Sequence, residues 1–220
     1  MRAAVVSCHL ERPLDDRIWA LFSRLQERVP VAALIRPPHE GEDEERWLER
    51  ARAAATRGPL GHHTHWTSPT HARPTGGDPG ERVRREGRWL REQGLAPTLF
   101  CGGGWYMDEG VAEAVAELGY ADCTARRQAP VRLRLPSGAT LLELPTTHSA
   151  GALARAVLWR LEAPVVHAYF HDYDLLDRRR RDALVASLYL LRLRRGLTDL
   201  DRLAEACADA PERPYEAAFS

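Results

Sequence analysis

The 220-residue sequence predicts an α/β fold with a mainly parallel sheet, and three observations support this prediction. Short apolar segments typical of buried strands alternate along the chain with amphipathic segments typical of helices. No internal repeat is present and no linker divides the chain, so we expect a single domain over residues 1–220. The hydrophobic content of 44% and the charged content of 28% are ordinary for a globular protein.

The first half of the chain contains three predicted strands, each followed by a helix. The strands are expected at residues 3–8, 31–35 and 60–64, and the helices at 43–56, at 81–93 and after an N-terminal cap at Asp15 or Asp16. The segment 68–80 is rich in proline and glycine, which predicts a loop.

The second half continues the alternation. Strands are expected at residues 97–101, 120–124 and 164–170, with a hairpin over 131–144 that turns at Pro136-Ser137-Gly138. Helices are expected after a cap at Asp108, over 150–161, and twice more before the C-terminus, the last one capped by Thr198. This order favours a parallel sheet whose strands end at one common edge.

Composition excludes several classes of function. The net charge is zero, so bulk electrostatics favours neither nucleic acid nor an anionic membrane. The chain has no lysine, which excludes a lysine nucleophile and a P-loop lysine. No apolar segment approaches the roughly 20 residues of a membrane span, and the N-terminus does not resemble a signal peptide. The four cysteines show no CxxC spacing, which predicts reduced thiols and a cytoplasmic protein.

The histidines are clustered where predicted strands end. Four of the nine lie between positions 62 and 71, and two more are His167 and His171. Neutral imidazole is the commonest metal ligand and transfers protons near neutral pH. The strand ends would bring together His9, Glu11, His63, His65, Cys101, His171 and Asp172. The sequence therefore predicts a metal-assisted active site at the mouth of the sheet or barrel.

Three motifs follow one another in an informative order. They are Gly61-His62-His63-Thr64, Phe100-Cys101-Gly102-Gly103-Gly104-Trp105-Tyr106 and Tyr169-Phe170-His171-Asp172. This order resembles the NodB-type polysaccharide deacetylases of carbohydrate esterase family 4. The resemblance implies a distorted (β/α) barrel with one divalent metal, held by an aspartate and two histidines. It also implies a second aspartate as base and a late histidine as acid.

The family's first motif, Asp-Asp-Gly, has two possible counterparts. Ungapped spacing sets Leu10-Glu11-Arg12-Pro13 against it, so that Glu11 replaces the metal-binding aspartate. A small insertion instead makes Asp15-Asp16 the matching pair, with Asp15 as base and Asp16 as metal ligand. Any of Glu11, Asp15 and Asp16 could accept the proton of the attacking water, so the choice of base stays open. Both aspartates are otherwise explained as helix caps, and Glu11 as a solvated carboxylate at a strand end.

The second motif predicts the metal-binding histidines. His63 matches the first ligand of the family's His-Ser/Thr-x-x-His motif, whereas Thr67 occupies the position of the second histidine. His65 could supply the missing ligand, because alternate residues of a strand point to the same side. Both are otherwise core histidines bonded to the backbone. His62 and His71 are weaker candidates that would serve as ordinary polar groups.

The last two motifs predict substrate contacts and an acid. Gly103, Gly104, Trp105 and Tyr106 stand where the family has an Arg-Pro-x-Gly stretch, and its arginine is absent. They would bind substrate, or otherwise form a tight turn with its aromatic rings in the core. His171 is the candidate general acid or third ligand, with Asp172 fixing its tautomer. His167, deeper in the strand, is expected to be a core histidine.

These features predict a hydrolase in which a divalent ion, expected to be zinc, activates water against an acetyl or similar acyl group of a carbohydrate or small molecule. Two alternatives remain open at this stage. The first is a carbohydrate-binding protein of the same fold that has lost catalysis. The second is a barrel phosphoesterase in which His63 and His65 bind two or three metals. Neither nucleic acid nor a membrane span is expected.

Overall fold

Parallel strands and helices alternate along the chain in the computed structural model, which describes residues 2–68, 70–126, 128–159 and 161–215. The strands are β1 (Ala3–Leu10), β2 (Val31–Ile35), β3 (Leu60–Thr64), β4 (Leu99–Gly102), β5 (Ala121–Asp122), β6 (Val131–Arg134), β7 (Thr140–Glu143), β8 (His148–Ser149), β9 (Val165–His171) and β10 (Glu212–Pro214). The helices are α1 (Asp16–Gln26), α2 (Glu44–Ala55), α3 (Pro79–Glu92), α4 (Glu109–Glu117), α5 (Ala150–Ala156), α6 (Arg178–Arg195) and α7 (Leu200–Ala206).

The strands form one sheet in the order β10-β6-β7-β5-β4-β3-β2-β1-β9-β8. Every neighbouring pair is parallel except the β6–β7 hairpin, which is antiparallel. The predicted α/β class is therefore confirmed. The carboxyl ends of β1, β3, β4 and β9 lie along one edge, where the chain places its histidines.

The sheet curls strongly. Four inter-strand steps separate β4 from β9, which in a flat sheet would place them about 19 Å apart. Yet the rings of Trp105, just after β4, and Tyr169, in β9, have centroids 4.9 Å apart. The segment after β7 spans the remaining gap: the Leu144 N–H donates to the Asp122 carbonyl, and the Thr147 N–H donates to the His167 carbonyl. The result is a distorted barrel.

Strand alternation divides the apolar residues between two faces. The concave face forms one core, into which α7 inserts Leu200 and Leu203 at the end where the strands begin. The convex face packs against the other helices in two further clusters, one around Phe22 and Trp47 and one around Phe100. Because α7 fills the opposite end of the barrel, the open mouth lies at the carboxyl ends of the strands.

Several boundaries differ from the sequence prediction. Helix α3 begins at Pro79, inside the predicted loop, because Asp78 caps it. Helix α7 is capped by Asp199 and not by Thr198, whose N–H donates to the Ala4 carbonyl instead. Helix α5 ends at Ala156, although 150–161 was predicted; Arg160 of that range lies outside the described residues.

Two of the strands have no sequence signal. β8 and β10 contain two and three residues, too few to show an alternating pattern.

Among the helices of the described ranges, none combines the length and apolar character needed to cross a bilayer.

Candidate metal and active site

One carboxylate and three imidazoles meet at the open mouth of the barrel. Glu11 follows β1, His63 lies in β3 with His65 just after it, and His171 ends β9. The Glu11 Oε1 atom is 3.4 Å from His65 Nε2, 3.7 Å from His171 Nε2 and 3.9 Å from His63 Nε2. The structure thus brings together one carboxylate and three histidines that the sequence proposed for the site. We call these four residues the mouth cluster.

The spacing within the mouth cluster suits a tetrahedral divalent ion. With metal–ligand bonds of about 2.0–2.1 Å, neighbouring ligand atoms lie about 3.3 Å apart. His63 Nε2 and His65 Nε2 are 3.2 Å apart, and His65 Nε2 lies 3.4 Å from Glu11 Oε1. The Glu11–His63 separation is longer, but all three ligand atoms lie within 4.8 Å of one another. Glu11, His63 and His65 therefore fit an ion as two imidazoles and one carboxylate.

The hydrogen bonds of His63 leave the right nitrogen available. Strands β3 and β4 are paired so that His63 lies opposite Cys101. The His63 Nδ1–H donates to the Cys101 carbonyl oxygen over 2.8 Å. Since a carbonyl only accepts, this bond fixes the proton on Nδ1 and leaves the lone pair of Nε2 pointing into the cluster.

Burial favours the neutral, cation-binding form of two histidines of the mouth cluster. Desolvation lowers the pKa of His63 and of His171, which favours their neutral rings. Desolvation acts to raise the pKa of Glu11, but the neighbouring side chains of His63, His65 and His171 outweigh it, and the net shift is downward. Neutral imidazoles around an ionised carboxylate form a ligand set for a divalent ion.

The surroundings of His171 differ from the prediction. Its ring stacks on Tyr173, with centroids 5.0 Å apart, and its Nδ1 lies 4.0 Å from Asp174 Oδ2. Asp172, predicted to fix the tautomer, is fully buried and accepts the Arg12 backbone N–H over 2.6 Å. A 3₁₀ turn begins directly after His171, and it carries Asp174 back to the ring. Burial raises the pKa of Asp172 to about 7.

The two aspartates at the start of α1 also have other partners. Asp15 is the helix cap, whose Oδ1 accepts the N–H groups of Arg17 and Ile18, although the residue also lines the cavity described below. Asp16, predicted to bind metal, is exposed and forms ion pairs with Arg46 and Arg50. The structure places Glu11 with the two histidines instead, because the ungapped spacing after β1 puts that residue on the inner face.

A cavity of ≈ 650 Å³ opens over the mouth cluster. Trp105 forms part of its wall and contacts Tyr169 and Arg126, whose guanidinium lies 4.6 Å from the indole centroid. The backbone of Trp105 has φ 59°, a strained conformation for a residue with a side chain. Other residues around the opening are His9, Glu11, Arg12, Leu14, Asp15, Arg36, Glu42, His63, His65, Thr70, Ala72, Gly102, Gly104, His171 and Tyr173.

Two of the predicted substrate-binding residues face elsewhere. Gly103 is buried, and a Cβ there would come within 2.3 Å of the Thr64 carbonyl oxygen, so its hydrogen side chain permits close backbone packing. The Tyr106 hydroxyl donates to Asp108 Oδ2, and its ring packs against Trp66. Only Gly104 and Trp105 of the four predicted residues line the cavity.

His9 is part of the site although the sequence analysis gave it no specific role. Its ring is buried between His63, at a centroid distance of 4.6 Å, and His171, at 4.9 Å. Burial and the neighbouring histidines hold its pKa well below the usual range. The available signal was strand alternation, since His9 and Glu11 are two residues apart and therefore share a face of β1.

The remaining histidines of the two motifs bond within the protein. His62 points to the other face of β3, where its Nε2 is 2.9 Å from Glu86 Oε2 on α3. His167 is buried between Ser7 and Thr146, as the prediction of a core histidine required. His71 is exposed in the loop after β3.

Comparison with known proteins gives matches to solved structures but none to sequences. No protein-family model matches the sequence, and no curated protein matches it either. A solved structure from Mycobacterium smegmatis, assigned as a polysaccharide deacetylase, matches with TM-score 0.67 and 17% identity over 96% of this chain and 93% of its own. The family 4 carbohydrate esterase from Streptomyces lividans matches with TM-score 0.55 and 12% identity over 90% and 91%.

The chain therefore has the NodB-like fold of the polysaccharide deacetylases, as the motif order predicted. A 4-alpha-glucanotransferase from Thermococcus litoralis matches too, with TM-score 0.54 and 10% identity. That match covers 100% of this chain but only 38% of the glucanotransferase. Because related folds support different reactions, the activity has to be argued from the site itself.

Proposed function

We propose that this protein is a metal-dependent hydrolase that removes acetyl or similar acyl groups from a carbohydrate or a related small molecule. The observation that supports the proposal is the mouth cluster, in which a carboxylate oxygen lies within 3.9 Å of three imidazole nitrogens beneath an open cavity. The likeness of the fold to deacetylases supports the choice of reaction class.

Glu11, His63 and His65 are the residues that would hold the ion. Two imidazole nitrogens and one carboxylate oxygen suit zinc, which accepts four-coordinate sites with one open position. When bound, such an ion supplies Lewis-acid chemistry, polarising an acyl carbonyl and activating water. The Cys101 carbonyl supports the site from behind by orienting His63.

His171 is the proposed general acid. It is the most exposed histidine of the mouth cluster, with 27% of its side chain accessible, and it borders the cavity. Its Nε2 faces the cluster while Asp174 lies beside Nδ1. This arrangement lets the ring deliver a proton from Nε2 to the leaving amine or alcohol.

Asp15 remains the proposed proton acceptor. Its Oδ1 accepts two backbone N–H groups at the start of α1, which fixes the carboxylate at the cavity wall. The second oxygen, Oδ2, is the atom that would take a proton. Trp105 is the proposed contact for a sugar face, because an indole plane covers apolar C–H surface and Tyr169 and Arg126 hold the ring in place.

The phosphoesterase alternative is less well supported by the ligand arrangement. In the described part of the chain, each of the three groupings of candidate ligands shares one residue with each of the others. A neutral imidazole offers a single lone pair, so two groupings that share His9 or His63 cannot be filled together, and two ions would have to share the Glu11 carboxylate. This leaves few independent ligands for the two or three ions that the phosphoesterase would need.

The test is acetate release by purified full-length protein from a panel of N-acetylated and O-acetylated saccharides. We expect release from at least one saccharide, loss on treatment with a chelator, and recovery on adding a divalent ion. The matched variants are His65→Gln, which should abolish release, and His71→Gln, which should not. Saccharide binding without release under any metal would contradict the hydrolase and favour the binding protein.

A further inference from the structure

The thiol of Cys101 lies directly beneath the mouth cluster and takes no part in the proposed hydrolysis. Cys101 belongs to β4 and is 1% exposed. Its carbonyl accepts the His63 Nδ1–H, while its Sγ lies 3.7 Å from His9 Nε2. One residue therefore orients a metal-binding histidine with its backbone and offers a sulfur atom on the same side of the barrel.

The ligand atoms of Cys101, His9 and His63 have the spacing of a thiolate–imidazole metal site. For bonds of about 2.3 Å to sulfur and 2.0–2.1 Å to nitrogen, a tetrahedral ion separates the two atoms by about 3.6 Å. The observed Cys101–His9 distance is 3.7 Å, and all three ligand atoms lie within 4.8 Å of one another. All three residues are buried. This grouping meets the same 4.8 Å limit as the grouping of Glu11, His63 and His65.

We propose that Cys101, His9 and His63 form an inner position for a thiophilic ion, below the outer position formed by Glu11, His63 and His65. The two positions share His63, and a neutral imidazole offers a single lone pair, so they are alternative sites for a single ion. Soft thiolate ligands select ions such as cadmium, cobalt or zinc, whereas an oxygen-containing set also accepts harder ions such as manganese. The proposal uses the outer position of the proposed function but does not require hydrolysis.

Binding at the inner position has a defined proton balance. A buried thiol that binds no metal carries the S–H form. A divalent ion that binds there forms one metal–sulfur bond and displaces one proton from sulfur to solvent. The imidazoles bind through existing lone pairs and release none. Binding of one ion at the inner position therefore releases one proton.

The experiment titrates cadmium and cobalt separately into chelator-treated full-length protein, with manganese as the hard-ion comparison. Thiolate-to-metal charge-transfer absorption reports the sulfur bond independently of activity. We expect one equivalent of cadmium or cobalt to produce this absorption and manganese to produce none. The matched variants are Cys101→Ser, which should lose the absorption, and Cys123→Ser, a thiol equally buried at 1% exposure, which should keep it.

Each other outcome counts against the inner position. Stoichiometric cadmium binding without thiolate absorption would place the ion at the outer position, and absorption that persists in Cys101→Ser would assign another cysteine. If Cys101→Ser does not fold, X-ray absorption of the cadmium-loaded wild type decides, because nitrogen and oxygen scatterers without sulfur would refute the proposal. Failure of the proposed function differs: no saccharide would release acetate, while the sulfur bond would still be seen.

Discussion

The two faces of β3 each carry a histidine–glutamate cluster, and the clusters differ in how their charge is balanced. On the inner face is the mouth cluster, where Glu11 is surrounded by imidazoles. On the outer face, Glu86 accepts hydrogen bonds from Thr64 and Arg82 and pairs with His62. We call His62, Thr64, Arg82 and Glu86 the outer-face cluster.

The difference shows what separates a structural site from a metal site in this fold. The Arg82 guanidinium neutralises Glu86 inside the outer-face cluster, so the charge of that carboxylate is balanced without a cation. The carboxylate of Glu11 faces neutral rings, whose lone pairs and anionic partner together suit a cation. Each cluster pairs a glutamate with a histidine of β3, and the arginine and the number of imidazoles distinguish them.

The largest expected effect is the difference in metal affinity between substitution of Glu11 and substitution of Glu86. Glu11→Gln should weaken binding of a divalent ion by about 100-fold or more, since even supporting residues of metal sites contribute 10–100-fold. Glu86→Gln should leave the affinity within a few-fold of wild type. Metal titration of chelator-treated protein measures both. Equal affinity in the two variants would mean that Glu11 is not a ligand.

Substitution of the two neighbouring histidines of β3, His62 and His63, should affect different properties: stability for His62 and metal binding for His63. His62→Ala removes a hydrogen bond to a buried carboxylate and should lower the free energy of unfolding by about 2 kcal/mol, with metal content retained. His63→Ala should lose the metal and change the stability of the metal-free protein less. Denaturant unfolding without metal, together with metal analysis, checks the pair. Loss of metal in His62→Ala alone would reverse the assignment of the two faces.

The pH dependence of stability should report the outer-face cluster. Burial acts to raise the pKa of Glu86, but the His62 hydrogen bond and the nearby Arg82 outweigh it and leave the pKa lowered. A carboxyl whose pKa is lower in the folded state stabilises the fold above its unfolded pKa of about 4.3, and that contribution disappears as the pH falls through the folded pKa. The stability difference between wild type and Glu86→Gln should therefore be full near pH 6 and shrink in acid. A difference that does not depend on pH would exclude this pair as its source.

The smallest effect is expected at Asp16. The carboxylate is exposed and bound to Arg46 and Arg50, so Asp16→Asn should leave metal content and acetate release unchanged. Asp15→Asn is the informative neighbour: asparagine caps a helix nearly as well as aspartate, so folding should survive while acetate release falls. If Asp16→Asn lost its metal, the alternative alignment of the first motif would be restored.

Much of the site could be predicted because it depends on spacing that a strand fixes locally. Two-residue alternation placed His63 and His65 on one side, and the same rule applied to β1 relates His9 to Glu11. Motif order indicated the NodB-like fold. The sequence could not choose between Glu11 and the pair Asp15 and Asp16, because all three follow the same strand and all are carboxylates.

The sequence by itself determined the alternation of strands and helices, the helix cap at Asp108, and the presence of histidines at strand ends. Only the tertiary structure decided which side chains meet. The curl of the sheet brings β4 to β9, which puts Trp105 against Tyr169 and Cys101 beneath His9. A 3₁₀ turn places Asp174, and not Asp172, beside the His171 ring. On the other face of β3, Arg82 neutralises Glu86, the carboxylate that pairs with His62. The local sequence pattern determines which face of a strand or helix each side chain occupies. The distance between side chains of different elements depends on how the whole sheet bends.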